Sequence, residues 1–330
     1  MHAVVLVGGF GTRLRPLTND LPKPMLPVVH RPMIVRLVDR LSAAGVTDVV
    51  LALGFRPEPF AEAFTDGRHG DVVVRYAVEP EPLDTAGAIA FAARFAGIEE
   101  TFVVANGDII TDLDVAHLVA EHRRIGVQAS IHLTPVDDPS AFGVVEIQGD
   151  AVRRFVEKPG PGETESNLIN AGTYVFEASV LDLIRPDRRV SVERDTFPRL
   201  VESGSLAGVA TDDYWLDTGR PDQYLQANLD LIRGVRGPAE NGIARGARIH
   251  PDARVDDSVV HDHVTVARGA SVTASLLLDG AVVDERASVI DSVVAGHVAA
   301  GATVRNCVIG AGYTVAADSV AADARLPEPV

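Results

Sequence analysis

The chain has a single cysteine, Cys307, a single tryptophan, and aromatic residues at only 5%. One thiol cannot close an intrachain disulfide, so no covalent staple holds the fold, and a reducing location, the cytoplasm, is expected. Cys307 stands in an apolar repeat and is expected to pack as a small hydrophobe. Positive charge is also scarce: Lys and Arg number 30 against 46 Asp and Glu, a formal charge of −16. A surface this acidic repels nucleic acid and anionic membrane, so an anionic ligand needs a local cationic site. No uncharged apolar run reaches about 18 residues, so no membrane span is expected. An apolar strand that begins at residue 3 leaves no room for a signal peptide ahead of it. The 10 histidines show no metal-ligand spacing. His261 and His263 are two apart and are expected to share the outward side of a strand as a solvated pair.

What is abundant is apolar residue, 46% of 330 positions, enough for a large core and for two domains. The chain is organised around its opening: Ala3-Val4-Val5-Leu6-Val7, then Gly8-Gly9-Phe10-Gly11-Thr12-Arg13, then Pro22-Lys23-Pro24-Met25. Five apolar residues in a row predict a buried central strand. The glycines allow a sharp turn whose successive N–H groups cradle an anion. Arg13 supplies a forked cation and Lys23, stiffened between two prolines, a point charge. Together they describe a pocket for a polyphosphate. A dinucleotide fingerprint would need glycine where Leu14 stands, and a Walker loop would end in Gly-Lys-Ser/Thr rather than Gly-Thr-Arg.

Residues 3 to 135 alternate strand and helix, with Gly45 as a C-cap and Asp114 as the N-cap of a helix to Arg124. This alternation predicts a Rossmann-like α/β fold, a mixed and mostly parallel sheet with helices on both faces, with ligands outside the carboxyl ends of the strands. After Pro135 short strands and turns complete the sheet and cover one side of the cleft. Tyr214-Trp215-Leu216-Asp217-Thr218-Gly219 reads as a turn leading into a helix from Pro221. Gly234 to Gly242 reads as a linker. Beyond it apolar residues recur in steps of five or six, at Ile249, Val255, Val260, Val266, Val272, Leu277, Val283, Ile290, Val294, Val304, Ile309, Val315 and Val320. That rhythm predicts a short left-handed parallel β-helix of roughly four or five coils. The domains expected are 1–235 and 242–330.

Two carboxylates end apolar segments next to glycines. Asp108 follows Val103-Val104-Ala105-Asn106-Gly107, and Asp217 follows Trp215-Leu216 with Gly219 just after. Hard oxygens of this kind suit Mg²⁺, which takes one or two carboxylates plus substrate phosphates. Either aspartate alone is as compatible with a helix or turn cap.

The run Gly8 to Thr18 with Pro22-Lys23-Pro24 resembles the signature of the sugar-1-phosphate nucleotidyltransferases (NDP-sugar pyrophosphorylases), and its Arg-Pro-Leu-Thr and Pro-Lys-Pro-Met wording most resembles the mannose-1-phosphate guanylyltransferase branch. The resemblance covers residues 1 to about 235. It implies nucleotide binding by Leu6, Gly8, Gly9, Gly11, Thr12, Arg13 and Lys23, with Pro82, Thr85 and Gly87 around the base. It implies sugar-phosphate binding by Gly143, by Glu157 and Lys158 of a Glu-Lys-Pro motif, and by Asn170 of Asn-Ala-Gly. It implies Mg²⁺ on Asp108 and Asp217, and a catalytic set of Arg13, Lys23, Asp108 and Lys158. Asp84 stands where the family commonly has glycine, and is expected to N-cap the helix from Thr85. The implied reaction transfers a nucleoside monophosphate from a triphosphate to a sugar 1-phosphate, with GTP and mannose 1-phosphate the preferred pair and a homo-oligomer the expected assembly. Thymidylyl-, adenylyl- or uridylyltransferases, and guanylyltransferases for heptose or cyclitol 1-phosphates, share the motifs. A regulatory subunit would have lost Arg13, Lys23 or an aspartate, and all are intact. An acyltransferase β-helix would be longer and carry ordered histidines.

Overall fold

A computed structural model describes residues 1–9, 11–54, 57–186 and 188–328. Phe10 of the glycine turn, with Phe55, Arg56, Asp187, Pro329 and Val330, lies outside the described residues. The chain divides into two compact units, Met1–Gly9 with Ile34–Trp215, and Phe10–Met33 with Leu216–Val330.

The first unit is built on a ten-stranded sheet. Its strands are β1 (His2–Leu6), β2 (Asp48–Leu53), β3 (Arg68–His69), β4 (Val72–Val78), β5 (Phe102–Asn106), β6 (Ala129–Pro135), β7 (Gly143–Gln148), β8 (Ala151–Glu157), β9 (Leu168–Phe176) and β10 (Leu206–Ala210). They lie in the order β7-β8-β10-β6-β9-β5-β1-β2-β4-β3. The apolar opening is the central strand expected: Val4 pairs with Val50 on one side and Val104 on the other, both in parallel register. The half around β1 is parallel, whereas β9 runs antiparallel to both β5 and β6. The hairpin β7–β8 is antiparallel too, turning through Gly149 at φ 61. The connections from β6 through β7 and β8 to β9 are too short for crossover helices, and these strands supply the antiparallel part of the sheet, while a longer segment returns β10 parallel to β6.

The α-helices are α1 (Met33–Ala43), α2 (Glu58–Ala63), α3 (Asp84–Ala96), α4 (Val115–Ile125), α5 (Phe197–Glu202) and α6 (Pro221–Arg233). Side chains of α3 and α5 pack on Val4, Val50, Phe102 and Val104. The alternate residues Ala3, Val5, Val49 and Val103 are equally buried, so they line the opposite face. Asp114 caps α4 as expected, accepting the His117 N–H at 3.0 Å. Asp84 does not cap α3. The helix begins at Asp84 itself, whose φ is 63 and whose carboxylate accepts only the next N–H, that of Thr85, at 2.8 Å. A left-handed backbone suits glycine, which gives a physical reason for the family's usual residue there. Trp215–Asp217 is a short strand where a turn was expected. Among the described residues no helix is long and apolar enough to cross a membrane.

The second unit contains the β-helix: three parallel sheets of five strands each, hence five coils. Val260, Val266, Val272, Leu277, Val283, Val294, Val304, Ile309 and Val315 form its core, as the periodicity predicts. Two positions differ. Val289 faces inward in place of Ile290, and Val320, in the last coil, is 76% exposed. Corners recur at Asp257, Ala274, Asp291, Asn306 and Asp323, all at φ between 46 and 52. Beside them runs a ladder the sequence did not disclose. Ser258, Ser275 and Ser292 each accept, through Oγ, the N–H of the residue one coil on, spanning 17, 17 and 15 residues. Cys307 is the next member of that ladder, buried against the apolar core.

His261 and His263 do not share a face. His263 sits at a corner (φ 58) and pairs with Asp279 at 2.9 Å, while His261 is buried with its ring centroid 5.2 Å from that of His30, the rings edge to face. Burial, with His30 beside it, pushes His261 down to about 4. Burial does the same to His132 on β6, against a smaller opposing pull from Asp213. Between an ordinary value of 6.5 and about 4 the unfolded chain takes up protons that the folded chain refuses, so stability falls as pH drops through that window. Each histidine is expected to contribute up to about 3 kcal/mol to that loss. Urea unfolding at pH 7 and 4.5 checks it: His132→Gln and His261→Gln should each flatten the decline, and an unaltered decline would contradict the assignment.

Candidate functional site

The first unit assembles most of the predicted residues along the carboxyl edge of β1 and β5. Leu6 ends β1, and Gly107 donates its N–H to the Leu6 carbonyl at 2.9 Å. A Cβ on Gly107 would stand 2.6 Å from Val7 Cγ1, so only glycine lets the two strand ends close and delivers Asp108 to the edge. Gly8 lies against the Gly54 backbone, with Glu79 Oε1 4.0 Å from where a Cβ would be. Gly9 has nothing described within 4 Å of that position. Glu79 received no role from the sequence. Half-buried at the end of β4, it accepts the Leu83 N–H at 2.9 Å, and burial raises its pKa above the usual carboxylate range.

Pro82, Thr85 and Gly87 are placed in three ways. Pro82 is exposed on the loop. The Thr85 hydroxyl donates to Glu193 Oε2 and accepts the Val192 N–H, both at 2.8 Å. Gly87 is buried in α3, where a Cβ would meet Leu83 at 2.8 Å and the Arg188 carbonyl at 3.3 Å. Thr85 and Gly87 therefore fix α3 against the 188–192 backbone.

Gly143, Glu157, Lys158 and Asn170 lie on or just past the neighbouring strands β7, β8 and β9. Gly143 pairs with Glu157 across β7 and β8. Lys158, at φ 52 and largely exposed, stands 3.6 Å from Glu157. In β9 the register slips between Asn170 and Tyr174. Asn170 holds both sides of that irregularity, accepting the Gly172 N–H and donating to the Tyr174 hydroxyl, each at 3.0 Å. The freed Ala171 carbonyl accepts from Trp215 Nε1 at 2.8 Å. Gly172, at φ 78, lies where a Cβ would be 2.6 Å from Asn106 Nδ2, which joins the Asn-Ala-Gly segment to the strand end that carries Asp108. Burial raises the Tyr174 hydroxyl pKa, so it stays protonated.

The second unit holds the cationic part. Gly11 takes φ 59, and its carbonyl accepts from Thr18 Oγ1 at 2.8 Å. Thr12, Arg13 and Leu14 form a single tight helical turn with Thr12 and Arg13 exposed. Lys23 is buried, and its Nζ stands 3.2 Å from Asp217 Oδ1. A Cβ on Gly219 would lie 2.8 Å from Arg13 Nη2 and 3.0 Å from both Asp217 oxygens. Arg13, Lys23 and Asp217 are therefore one cluster, and the glycine two residues on makes room for it. Among the described residues no group of three or more His, Cys, Asp or Glu could cage a metal. Asp217 offers hard oxygens already facing a cation, which fits Mg²⁺ completed by phosphate and water.

A buried lysine beside a carboxylate and a guanidinium is equipment suited to binding a polyphosphate. The chain belongs to the nucleotidyl transferase family, which residues 2–234 match. It is 39% identical over 288 residues to the mannose-1-phosphate guanylyltransferase of Mycobacterium tuberculosis, covering 86% of this chain and 79% of that protein. Among solved structures it resembles one from Bacillus anthracis assigned as a glucose-1-phosphate thymidylyltransferase, in complex with a sucrose, with a TM-score of 0.63 and 28% identity over 69% of this chain and 94% of that one. It also resembles HddC from Yersinia pseudotuberculosis complexed with GMP-PN, with a TM-score of 0.59 and 29% identity over 69% of this chain and 97% of that one. The chain is thus a nucleotidyltransferase whose relatives act on sugar 1-phosphates.

Packing at the sugar-side edge can be tested directly. A Cβ on Gly143 would stand 2.5 Å from Phe155 Cζ, and that ring is backed by Phe197 at 5.3 Å. Gly143→Ala should therefore cost about 1–3 kcal/mol, read by denaturant unfolding. Parental stability would show that Phe155 can yield.

Proposed function

We propose that this enzyme joins GTP and mannose 1-phosphate to give GDP-mannose and pyrophosphate. The observation that carries the reading is the 39% identity to a mannose-1-phosphate guanylyltransferase across 86% of the chain. The cluster of Arg13, Lys23 and Asp217 supports it. The sugar-phosphate oxygen attacks the α-phosphorus in line. A new P–O bond forms, the bond to the β-phosphate oxygen breaks, and pyrophosphate leaves with its electron pair. The nucleophile is already anionic, so no general base is required, and catalysis reduces to positioning and charge neutralisation.

In this reading Gly8, Gly9, Gly11 and Thr12 present backbone N–H groups to the triphosphate. Arg13 and Lys23 neutralise it, and Leu6 borders the nucleoside with Pro82. Gly143, Glu157 and Asn170 receive the sugar, and Lys158 its phosphate. Thr85 and Gly87 hold the loop that carries Pro82. Asp108 and Asp217 are the proposed ligands of Mg²⁺, which when bound supplies charge neutralisation to the triphosphate. The single buried thiol supports a cytoplasmic site of action. Exposed Val320 on the last coil supports assembly of copies of the chain.

Initial rates of pyrophosphate release across a panel of triphosphates and sugar 1-phosphates test the substrates. GTP with mannose 1-phosphate should give the highest kcat/KM, and a preference for dTTP with glucose 1-phosphate would overturn the pair while sparing the reaction. Asp108→Asn and Asp217→Asn should each lower kcat/KM at least about 100-fold with circular dichroism unchanged. Near-parental rates in a folded variant would remove that aspartate from the site.

A further inference from the structure

The turn that carries Arg13 is held from outside as well as from within. Its own hydrogen bonds use the carbonyls of Gly11 and Thr12, which accept from Leu14 and Arg15, and that of Leu14, which accepts from Leu17. The Arg13 carbonyl is instead taken by a side chain 312 residues away: Arg325 Nη1 donates to it at 2.8 Å. Arg325 opens the last strand of the β-helix, Arg325–Leu326. One coil earlier Gly310 meets the same segment. A Cβ there would lie 2.7 Å from Pro16 Cγ and 2.9 Å from Pro16 Cβ, so the absence of a side chain at 310 is what lets Pro16 seat on the coil. Gly310 is itself fixed by donating its N–H to the Leu326 carbonyl at 2.7 Å. Two contacts of different kinds, one polar and one steric, thus bind residues 13 and 16 to the last two coils.

We infer that Arg325 and Gly310 are positioning residues for the Arg13 turn, so that the end of the β-helix sets the affinity for the nucleoside triphosphate. The inference rests on the reading of that turn as the triphosphate loop. The guanidinium of Arg13 can meet a phosphate only from where its backbone puts it. A carbonyl held by a charged donor in a fixed coil places that backbone with little reorganisation on binding. Neither residue touches substrate, and neither enters the chemistry.

The test uses the full-length enzyme. Arg325→Ala should raise the apparent KM for triphosphate roughly 3- to 10-fold while the KM for sugar 1-phosphate stays within twofold. Arg325→Lys, which keeps a donor, should recover most of the loss, and Gly310→Ala should shift the triphosphate KM in the same direction. Hydrogen exchange of the Thr12 to Arg15 amides should quicken in Arg325→Ala, a readout that needs no substrate. Arg13→Ala, which keeps the carbonyl, separates the two claims. If it leaves triphosphate affinity unchanged, the loop reading fails, and the exchange data still decide the positioning role. If Arg13→Ala weakens triphosphate but Arg325→Ala does not, or if Arg325→Ala shifts both substrates alike, the inference is overturned.

Discussion

A buried ammonium with a carboxylate beside it is the interaction on which the charged cluster of the second unit depends. Lys23 is 5% exposed and stands 3.2 Å from Asp217. A buried charge is costly unless it is paired, which favours keeping the segment around Lys23 and the strand end at Asp217 together. Pro22 and Pro24 restrict the backbone on either side of the lysine. Gly11 and Gly219 remove the Cβ atoms that would crowd Lys23 on one side and Arg13 and Asp217 on the other. The site is thus held by charge and cleared by glycine, and neither device works alone.

The sheet edge of the first unit repeats the second device without the first. Gly107, Gly143 and Gly172 each stand where a methyl group would enter a neighbour's van der Waals radius. What they open is access to backbone and to short polar side chains: Asn106, Asp108, Glu157 and Asn170. An edge of this kind discriminates by hydrogen bonds, in which one mispaired hydroxyl leaves a buried group unsatisfied. Neighbours on this fold include both a glucose-1-phosphate thymidylyltransferase assignment and HddC complexed with GMP-PN. The sheet therefore does not by itself choose base or sugar.

Features with a strong local cause were legible in the sequence. The apolar opening could only be a central strand, Asp114 could only cap, and inward residues such as Val266, Val283 and Val304 marked the coils. Asp108 and Asp217 stood out only through the family resemblance, since either alone reads as a helix or turn cap. What escaped depended on backbone sign or on distant partners. Asp84 was misjudged because a positive φ is invisible in a residue that also caps helices. His261 and His263 were paired by strand alternation, which the corner at His263 cancels. Ile290 was placed inward although it lies seven residues after Val283, whereas the step of six lands on Val289, which takes the inward place. Arg325 carried no signal, since nothing in an arginine near a C-terminus names a carbonyl 312 residues earlier.

The second unit is discontinuous: residues 10–33 cluster with 216–330 and apart from the strands that flank them in sequence. Its consequence concerns inheritance. The glycine-rich linker at 234–242 looks like a natural seam for gene fusion, yet cutting there parts residues 10–33 from the coils that meet Arg13 and Pro16. A β-helix borrowed from a relative would arrive without the matching arginine and glycine unless residues 10–33 travelled with it. Exchange of whole modules is therefore constrained at two places in the gene, far apart, and the C-terminal repeat should diversify in step with the N-terminal signature and not as an independent appendage.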